Sequence, residues 1–267
     1  ITNNYADHIY TLSKGISWIT FQNECAAIRI DDQLCKQGKG ITLYSSFKQN
    51  LKGDKIYTVF EDSEGDEWIL TNKGISIIGK KQVDSDFPFQ YIKEADGIIY
   101  LVSQSDKLAS YNFKTRQFKF IEIPYHVSMI NEVKKFDSNT LLLATDNGLI
   151  IYKIKEKEFQ LIDIRTSTQP SNVVQSVYQD HYKELWIFPQ TTGVIRYNPS
   201  TKEMQHLFTP ADEVIRYERK NKNVIFEDRQ HTLWVLPPEG NLSYYDRENK
   251  ELKPMLKDSN TPNSVFS

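Results

Sequence analysis

Residues 56–75 read Ile-Tyr-Thr-Val-Phe-Glu-Asp-Ser-Glu-Gly-Asp-Glu-Trp-Ile-Leu-Thr-Asn-Lys-Gly-Ile, and Ser-Ile-Ile follows. Three runs rich in β-branched and aromatic residues, at 56–62, 67–71 and 74–78, are separated by a Ser-Glu-Gly-Asp turn and by Asn-Lys. Apolar runs punctuated this way predict strand, tight turn, strand, short loop, strand. A single unit of this kind cannot bury its own faces, so its repetition along the chain decides the fold.

The same grammar recurs at 173–180, 185–189 and 193–197, and again at 223–228, 233–237 and 240–245. Less regular copies run over 130–137, 141–145 and 148–152, over 89–96, 99–103 and 108–113, and over 9–13, 17–21 and 25–30. A fourth strand is predicted at 41–45, 117–123, 158–164 and 203–208. Aligned on the second strand, the copies carry Trp18, Trp68, Tyr100, Leu142, Trp186 and Trp234, at intervals of 50, 32, 42, 44 and 48 residues. A mean near ~43 residues is the blade length of a four-stranded propeller. No segment places apolar residues at helical spacing over three turns. The prediction is therefore all-β: a β-propeller of four-stranded antiparallel blades, with six repeats visible. The expected blades are 1–46, 54–86, 87–124, 128–165, 172–209 and 221–258, forming one propeller domain or a large piece of one, with 259–267 a linker. All four tryptophans fall at one repeated position, which points to packing between blades and not to ligand stacking.

The string I-x-x-V-x-E-D-x-x-G-x-x-W-I-x-T-x-x-G-I over 56–75 resembles the two-component regulator-propeller repeat. That repeat fills the periplasmic sensor regions of hybrid two-component systems in Bacteroides-type bacteria. The resemblance spans essentially the whole chain and is sharpest around Trp68, Trp186 and Trp234. Tyr100 and Leu142 depart from the family's Trp, and Phe21, Pro189 and Pro237 replace its Thr. Ile1-Thr2-Asn3-Asn4 is similar to the family's lead-in to an inner strand, and residues 260–267 are similar to the linker before a further repeat. The chain thus reads as a piece of a longer protein. Family propellers commonly close with seven blades, although six also close alone.

The resemblance implies a periplasmic sensor segment of an inner-membrane-anchored protein, with a histidine kinase elsewhere in the polypeptide. It implies a second propeller and a β-sandwich of the same chain as partners, a homodimer, and an oligosaccharide ligand whose sensing regulates polysaccharide-utilisation genes. The alternatives are a propeller enzyme acting on glycans, as lyase or hydrolase, and a protein-interaction scaffold.

Composition narrows the choices. The chain has 267 residues, 39% of them hydrophobic and 25% charged, enough to build a sizeable core without metals or crosslinks. Net charge is −2 and the pI is about 6.3, so no broad basic field exists to hold nucleic acid. No stretch approaches the ~20 apolar residues of a bilayer span, so no membrane contact is expected from this segment. The opening residues carry neither the basic nor the apolar region of a signal peptide. Cys25 and Cys35 read either as a disulfide in an oxidising compartment or, more plainly, as two unpaired thiols.

No phosphate loop, HExxH, CxxC or nucleophile elbow is present, so no catalytic residue, metal or cofactor is assigned and no enzymatic activity is expected of this segment. The five histidines are dispersed, with His181 and His231 in equivalent turns. Asp62, Asp137, Asp180 and Asp228 recur at the ends of first strands, with Asp96 a looser match, which suits carboxylates that shape turns better than a catalytic ring. In a propeller the loops between second and third strands share a face with the connections between blades. The alignment places Gln22, Asn72, Gln104, Asp146, Gln190 and Glu239 there, amides and carboxylates suited to sugar hydroxyls but equally to solvated turns. Tyr125, on the 124–129 connection, is an aromatic that could stack on a sugar ring or cover a blade edge.

Overall fold

Alternating apolar residues and frequent turn formers leave this chain little choice but short antiparallel strands, and the strands then stack through their aromatic faces. The computed structural model describes residues 6–21, 26–45, 51–53, 55–79, 86–95, 97–103, 105–112, 115, 117–167, 169–190, 193–207, 224–236 and 242–254. Blade 1 holds β1 (Ala6–Thr11), β2 (Ile16–Phe21), β3 (Ala26–Asp31) and β4 (Ile41–Ser45). Blade 2 holds β5 (Ile56–Glu61), β6 (Glu67–Thr71) and β7 (Gly74–Ile78), and blade 3 holds β8 (Phe89–Ala95), β9 (Ile98–Ser103), β10 (Leu108–Asn112) and β11 (Gln117–Ile121). Blade 4 comprises β12 (Ile130–Asp137), β13 (Thr140–Thr145), β14 (Gly148–Lys153) and β15 (Glu158–Ile162). Blade 5 comprises β16 (Val174–Gln179), β17 (Leu185–Pro189), β18 (Val194–Tyr197) and β19 (Met204–Leu207). Blade 6 comprises β20 (Val224–Glu227), β21 (Leu233–Leu236), β22 (Ser243–Asp246) and β23 (Glu251–Pro254).

Every sheet is a meander in chain order, with four strands in five blades and three described in blade 2. The chain is thus an all-β propeller, as its repeats predict. The predicted strands differ from the observed ones only at their ends, apart from β23, which the sequence does not signal. Its Pro254 argues against a central strand but is tolerated on an edge. Among the described residues, helix is confined to a 3-10 turn at Ser13–Gly15 and one α-turn, α1 (Asp32–Cys35), capped by Asp31, whose Oδ1 accepts the Gln33 and Leu34 N–H groups at 3.1 Å each. Cys35 is exposed on that turn, and Cys25 lies outside the described residues.

The chain divides into two compact units, Ile1–Leu141 with Lys153–Phe159, and Leu142–Tyr152 with Gln160–Ser267. Within the first, Trp18 packs against Val59 and Ile69 of blade 2, while Trp68 packs against Ile92 and Leu101 of blade 3. Within the second, Trp186 packs against Leu233 and Val235 of blade 6. The receiving residues are register partners, Val59 with Ile69 and Ile92 with Leu101, so each sheet offers an aliphatic pair to the preceding blade. Strand alternation puts the tryptophan on the opposite face of the same sheet, for Trp68 directly beside Ile69. Trp18, Trp68 and Trp186 are fully buried, which bears out the inter-blade role predicted for them. Trp234 is half-buried, stacked on Phe226 at 6.3 Å, and no further blade follows it among the described residues.

Candidate functional site

The recurring aspartates come first, because a ring of carboxylates would be the obvious place for chemistry. Asp62 Oδ1 accepts the N–H groups of Glu64 and Asp66, both at 3.0 Å, and its Oδ2 accepts Trp68 Nε1–H at 2.8 Å. Asp180 repeats this with Glu184 N–H and Trp186 Nε1–H, and Asp228 repeats it with Gln230, Thr232 and Trp234. Each aspartate shapes its turn and holds the indole of its own blade, a pairing at a spacing of six that the repeats displayed and sequence reasoning left unconnected. In blade 1 Leu12 occupies the aspartate position, and Trp18 Nε1 donates instead to Glu67 Oε2 of the next blade at 2.6 Å. Asp137 bonds Asn139 N–H at 2.7 Å, the turn role without the indole.

Other buried carboxylates are equally committed. Glu67 also takes a two-pronged bond from Arg29, at 2.9 Å from Nε and 2.7 Å from Nη2. Glu184 pairs with Arg196 and, at 3.1 Å, with Arg247, which also reaches Asp180 at 2.8 Å and lies 3.9 Å from the Tyr182 ring. Burial works to raise the Glu184 pKa, but the two guanidinium groups outweigh it and leave the carboxyl below its usual range. These are paired charges that tie strands and blades together. His181 and His231, far apart in sequence, are brought into a parallel stack at 3.8 Å. Among the described residues, no group of three or more His, Cys, Asp or Glu side chains could hold a metal ion.

At the opposite ends of the strands lie the loops singled out from sequence. Backbone bonds tie them to inter-blade connections: Asn72 N–H to Lys55 O at 3.1 Å, Gly148 N–H to Asn172 O at 2.6 Å, and Gln190 N–H to Val173 O at 2.9 Å. Ile130 N–H likewise donates to Ser105 O at 2.9 Å. The Asn72 side chain turns inward as well, its Oδ1 accepting Lys55 N–H at 3.1 Å. Thr71 and Thr145 close their loops by donating to the Gly74 and Gly148 carbonyls. Gln190 is exposed and Asp146 half-buried, whereas Gln22, Gln104 and Glu239 lie outside the described residues.

At the outer edge of blade 3, a cavity of about 630 Å³ opens between the Asp106–Lys107 loop, the end of β11 and the chain that leaves it. Its walls include Phe87, Phe120, Glu122 and Tyr125. That volume lies within the ~300–1,000 Å³ of ordinary small-molecule sites. Lys107 Nζ pairs with Asp106 at 2.9 Å and holds that carboxyl below its usual pKa range. Tyr125, read as either a sugar platform or an edge cover, is half-buried and donates its hydroxyl to the Phe159 carbonyl at 3.0 Å while lining the cavity. A hollow of about 340 Å³ at the other strand ends lies between blades 1 and 2 beside the bonded pair Ser13 and Glu61.

No family model matches the chain. It is 22% identical over 196 residues to a protein of Formosa agariphila named histidine kinase P4, a match over 73% of this chain and 12% of that protein. In fold it is similar to the extracellular domain of a putative hybrid two-component system from B. thetaiotaomicron, with a TM-score of 0.64, 16% identity, and coverage of 91% of this chain and 34% of that one. Virginiamycin B lyase from Staphylococcus aureus is also similar, with a TM-score of 0.64, 17% identity, and coverage of 95% and 85%. The chain therefore spans about an eighth of the kinase and about a third of the two-component domain. It is a β-propeller, with a protein named a histidine kinase among its likenesses in sequence and the extracellular domain of a putative hybrid two-component system among those in fold.

Proposed function

We propose that this chain is a sensory propeller within a hybrid two-component signalling protein, part of a periplasmic region anchored to the inner membrane. In this reading it recognises glycan-derived oligosaccharides, or scaffolds their recognition, and so regulates polysaccharide-utilisation genes. The observation that carries it is the coincidence of two likenesses on one chain. The regulator-propeller string at 56–75 sits within a chain of which 73% aligns with a protein named a histidine kinase, and 91% shares a fold with a two-component extracellular domain. A second propeller and a β-sandwich of the same polypeptide, and a second copy of the whole, complete the sensor. Binding signals by favouring one arrangement of these parts over another. The commitment of Asp62, Asp180 and Glu67 to indoles, turns and arginines supports a segment that binds and does not catalyse.

The likeness to virginiamycin B lyase favours a second reading, a propeller enzyme, since one fold hosts both kinds of function. One experiment separates the two. The chain is screened by thermal shift against neutral and acidic oligosaccharides, and any ligand found is recovered and analysed. A ligand that binds only the folded state adds about 2.7 kcal/mol of apparent stability at a hundredfold excess over Kd. A shift with the ligand recovered intact supports sensing. Cleaved ligand overturns it in favour of the enzyme, and the absence of any shift removes binding from this segment.

A further inference from the structure

An exposed aromatic is ordinary on a protein surface, but Phe120 is held unusually firmly for a side chain that is 53% exposed. Its ring meets Phe87 edge-on at 5.6 Å, and Phe87 meets Phe89 at 4.7 Å. Phe89 stacks on Phe118 at 5.7 Å, Phe118 on Tyr111 at 4.9 Å, and Tyr111 takes the edge of the fully buried Trp68 at 5.7 Å. All these spacings fall in the ~4.5–7 Å range of attractive ring pairs. A continuous aromatic stack thus runs from the interface of blades 2 and 3 to the rim of the cavity and fixes Phe120 as a platform. Little rotamer freedom remains to be lost when a ligand lands on it.

The polar groups around the platform narrow the ligand. Asp106 and Lys107 neutralise each other at 2.9 Å, leaving the exposed Glu122 as the remaining charge among the lining residues. An anionic ligand would therefore face a carboxylate with no uncommitted cation among the described lining residues to meet it. Hydroxyl groups, by contrast, can donate to Glu122 and Asp106 and accept from Lys107. A ring with one face of C–H bonds and a periphery of hydroxyls matches both the platform and the rim.

We infer that the cavity at the edge of blade 3 binds a neutral pyranose residue of an oligosaccharide, its C–H face stacked on Phe120 and its hydroxyls on Asp106, Lys107 and Glu122. This rests on the ligand-binding reading above and adds a place and a charge class to it. Of the loop residues chosen from sequence, Asn72 and Asp146 belong to blades 2 and 4, whereas Gln104 stands two positions before Asp106 of this site.

Titration calorimetry tests it with gluco-, manno- and xylo-oligosaccharides as neutral probes and oligogalacturonides as the anionic one. A neutral probe is expected to bind. Phe120→Ala should weaken it about tenfold or more, with the melting temperature recorded to show that the variant folds. Phe120→Trp should retain binding and report it by a change in emission at the new indole. Unchanged affinity in Phe120→Ala sinks the site while leaving ligand binding by the chain intact. Preference for the oligogalacturonides sinks the charge class. Failure of every probe to bind the unaltered chain overturns the inference together with the reading beneath it.

Discussion

Adjacent acidic residues at the end of a first strand divide two tasks between them. In blade 2, Asp62 faces its own blade and holds the turn and Trp68, whereas Glu61 faces the preceding blade and accepts the Ser13 N–H at 2.5 Å. Strand alternation makes this possible, since neighbours in sequence point to opposite sides. The third element of the string, Gly65, has φ of +87° and closes the turn in the left-handed region; Lys183 and His231 adopt the same conformation in blades 5 and 6 at φ of +65° and +62°. An amide at position 62 could satisfy either the indole or the backbone donors, but its own N–H₂ would confront the other. Asp62→Asn is therefore expected to cost about 1–3 kcal/mol of stability, measured by urea unfolding. In a Trp68→Phe background, where the indole donor is gone, the same change should cost less. A double-mutant cycle showing no coupling between the two sites would refute the pairing as a source of stability.

At the scale of elements, the same clamp joins blades 1 and 2 and blades 2 and 3, and blades 5 and 6 carry an incomplete version of it. Ser13 and Ser63 each give an N–H and a hydroxyl to the glutamate of the next blade, Glu61 and Glu94, with hydroxyl bonds of 2.5 Å. Between blades 5 and 6 the equivalent residue is His181, whose N–H bonds Glu227 Oε2 at 2.8 Å, while buried Oε1 lies 3.5 Å from His231 Nδ1 and has no hydrogen-bond partner among the described residues. His181→Ser restores the missing hydroxyl and should raise stability by about 0.5–1.5 kcal/mol, seen as a higher melting temperature. A lower one would mean that the His181–His231 stack outweighs the clamp. Strand order, turns and inter-blade tryptophans were legible in the sequence because each depends on local pattern, a period of two and a turn former. What was not legible depends on distant residues. The partner of Trp18 lies 49 positions away at Glu67, with only Leu12 in place of an aspartate to hint that a different acceptor was needed. The cavity gathers Phe87, Asp106, Phe120 and Tyr125 from separate segments, and Phe120 sits in an ordinary alternating strand. Of these four, Tyr125 stood out, and Asp106 lies two positions after Gln104 in a loop the sequence singled out.

For the whole molecule, the arrangement of cores sets how far a disturbance should travel. The cluster around Trp68 draws on blades 2 and 3, that around Trp186 on blades 5 and 6, and among the described residues they have none in common. In a stack of repeats, stability is approximately a sum of unit terms and nearest-neighbour interfaces. Each tryptophan is fully buried, so Trp68→Ala or Trp186→Ala should cost roughly 3–5 kcal/mol, a large part of the ~5–15 kcal/mol that holds a typical domain together. The milder pair Trp68→Phe and Trp186→Phe keeps the chain above that threshold, and their effects should add to within about 0.5 kcal/mol because the two clusters draw on different blades. Urea unfolding of both single variants and the double variant gives the comparison. Additivity means that strain at one core is not felt at the other, so a ligand seated at the edge of blade 3 alters blades 5 and 6 only through parts of the protein that it contacts itself. A coupling well above that bound would show that the two cores melt as one. A local binding event could then bias the entire chain, because the ligand need only favour one global state over another for the effect to be felt everywhere.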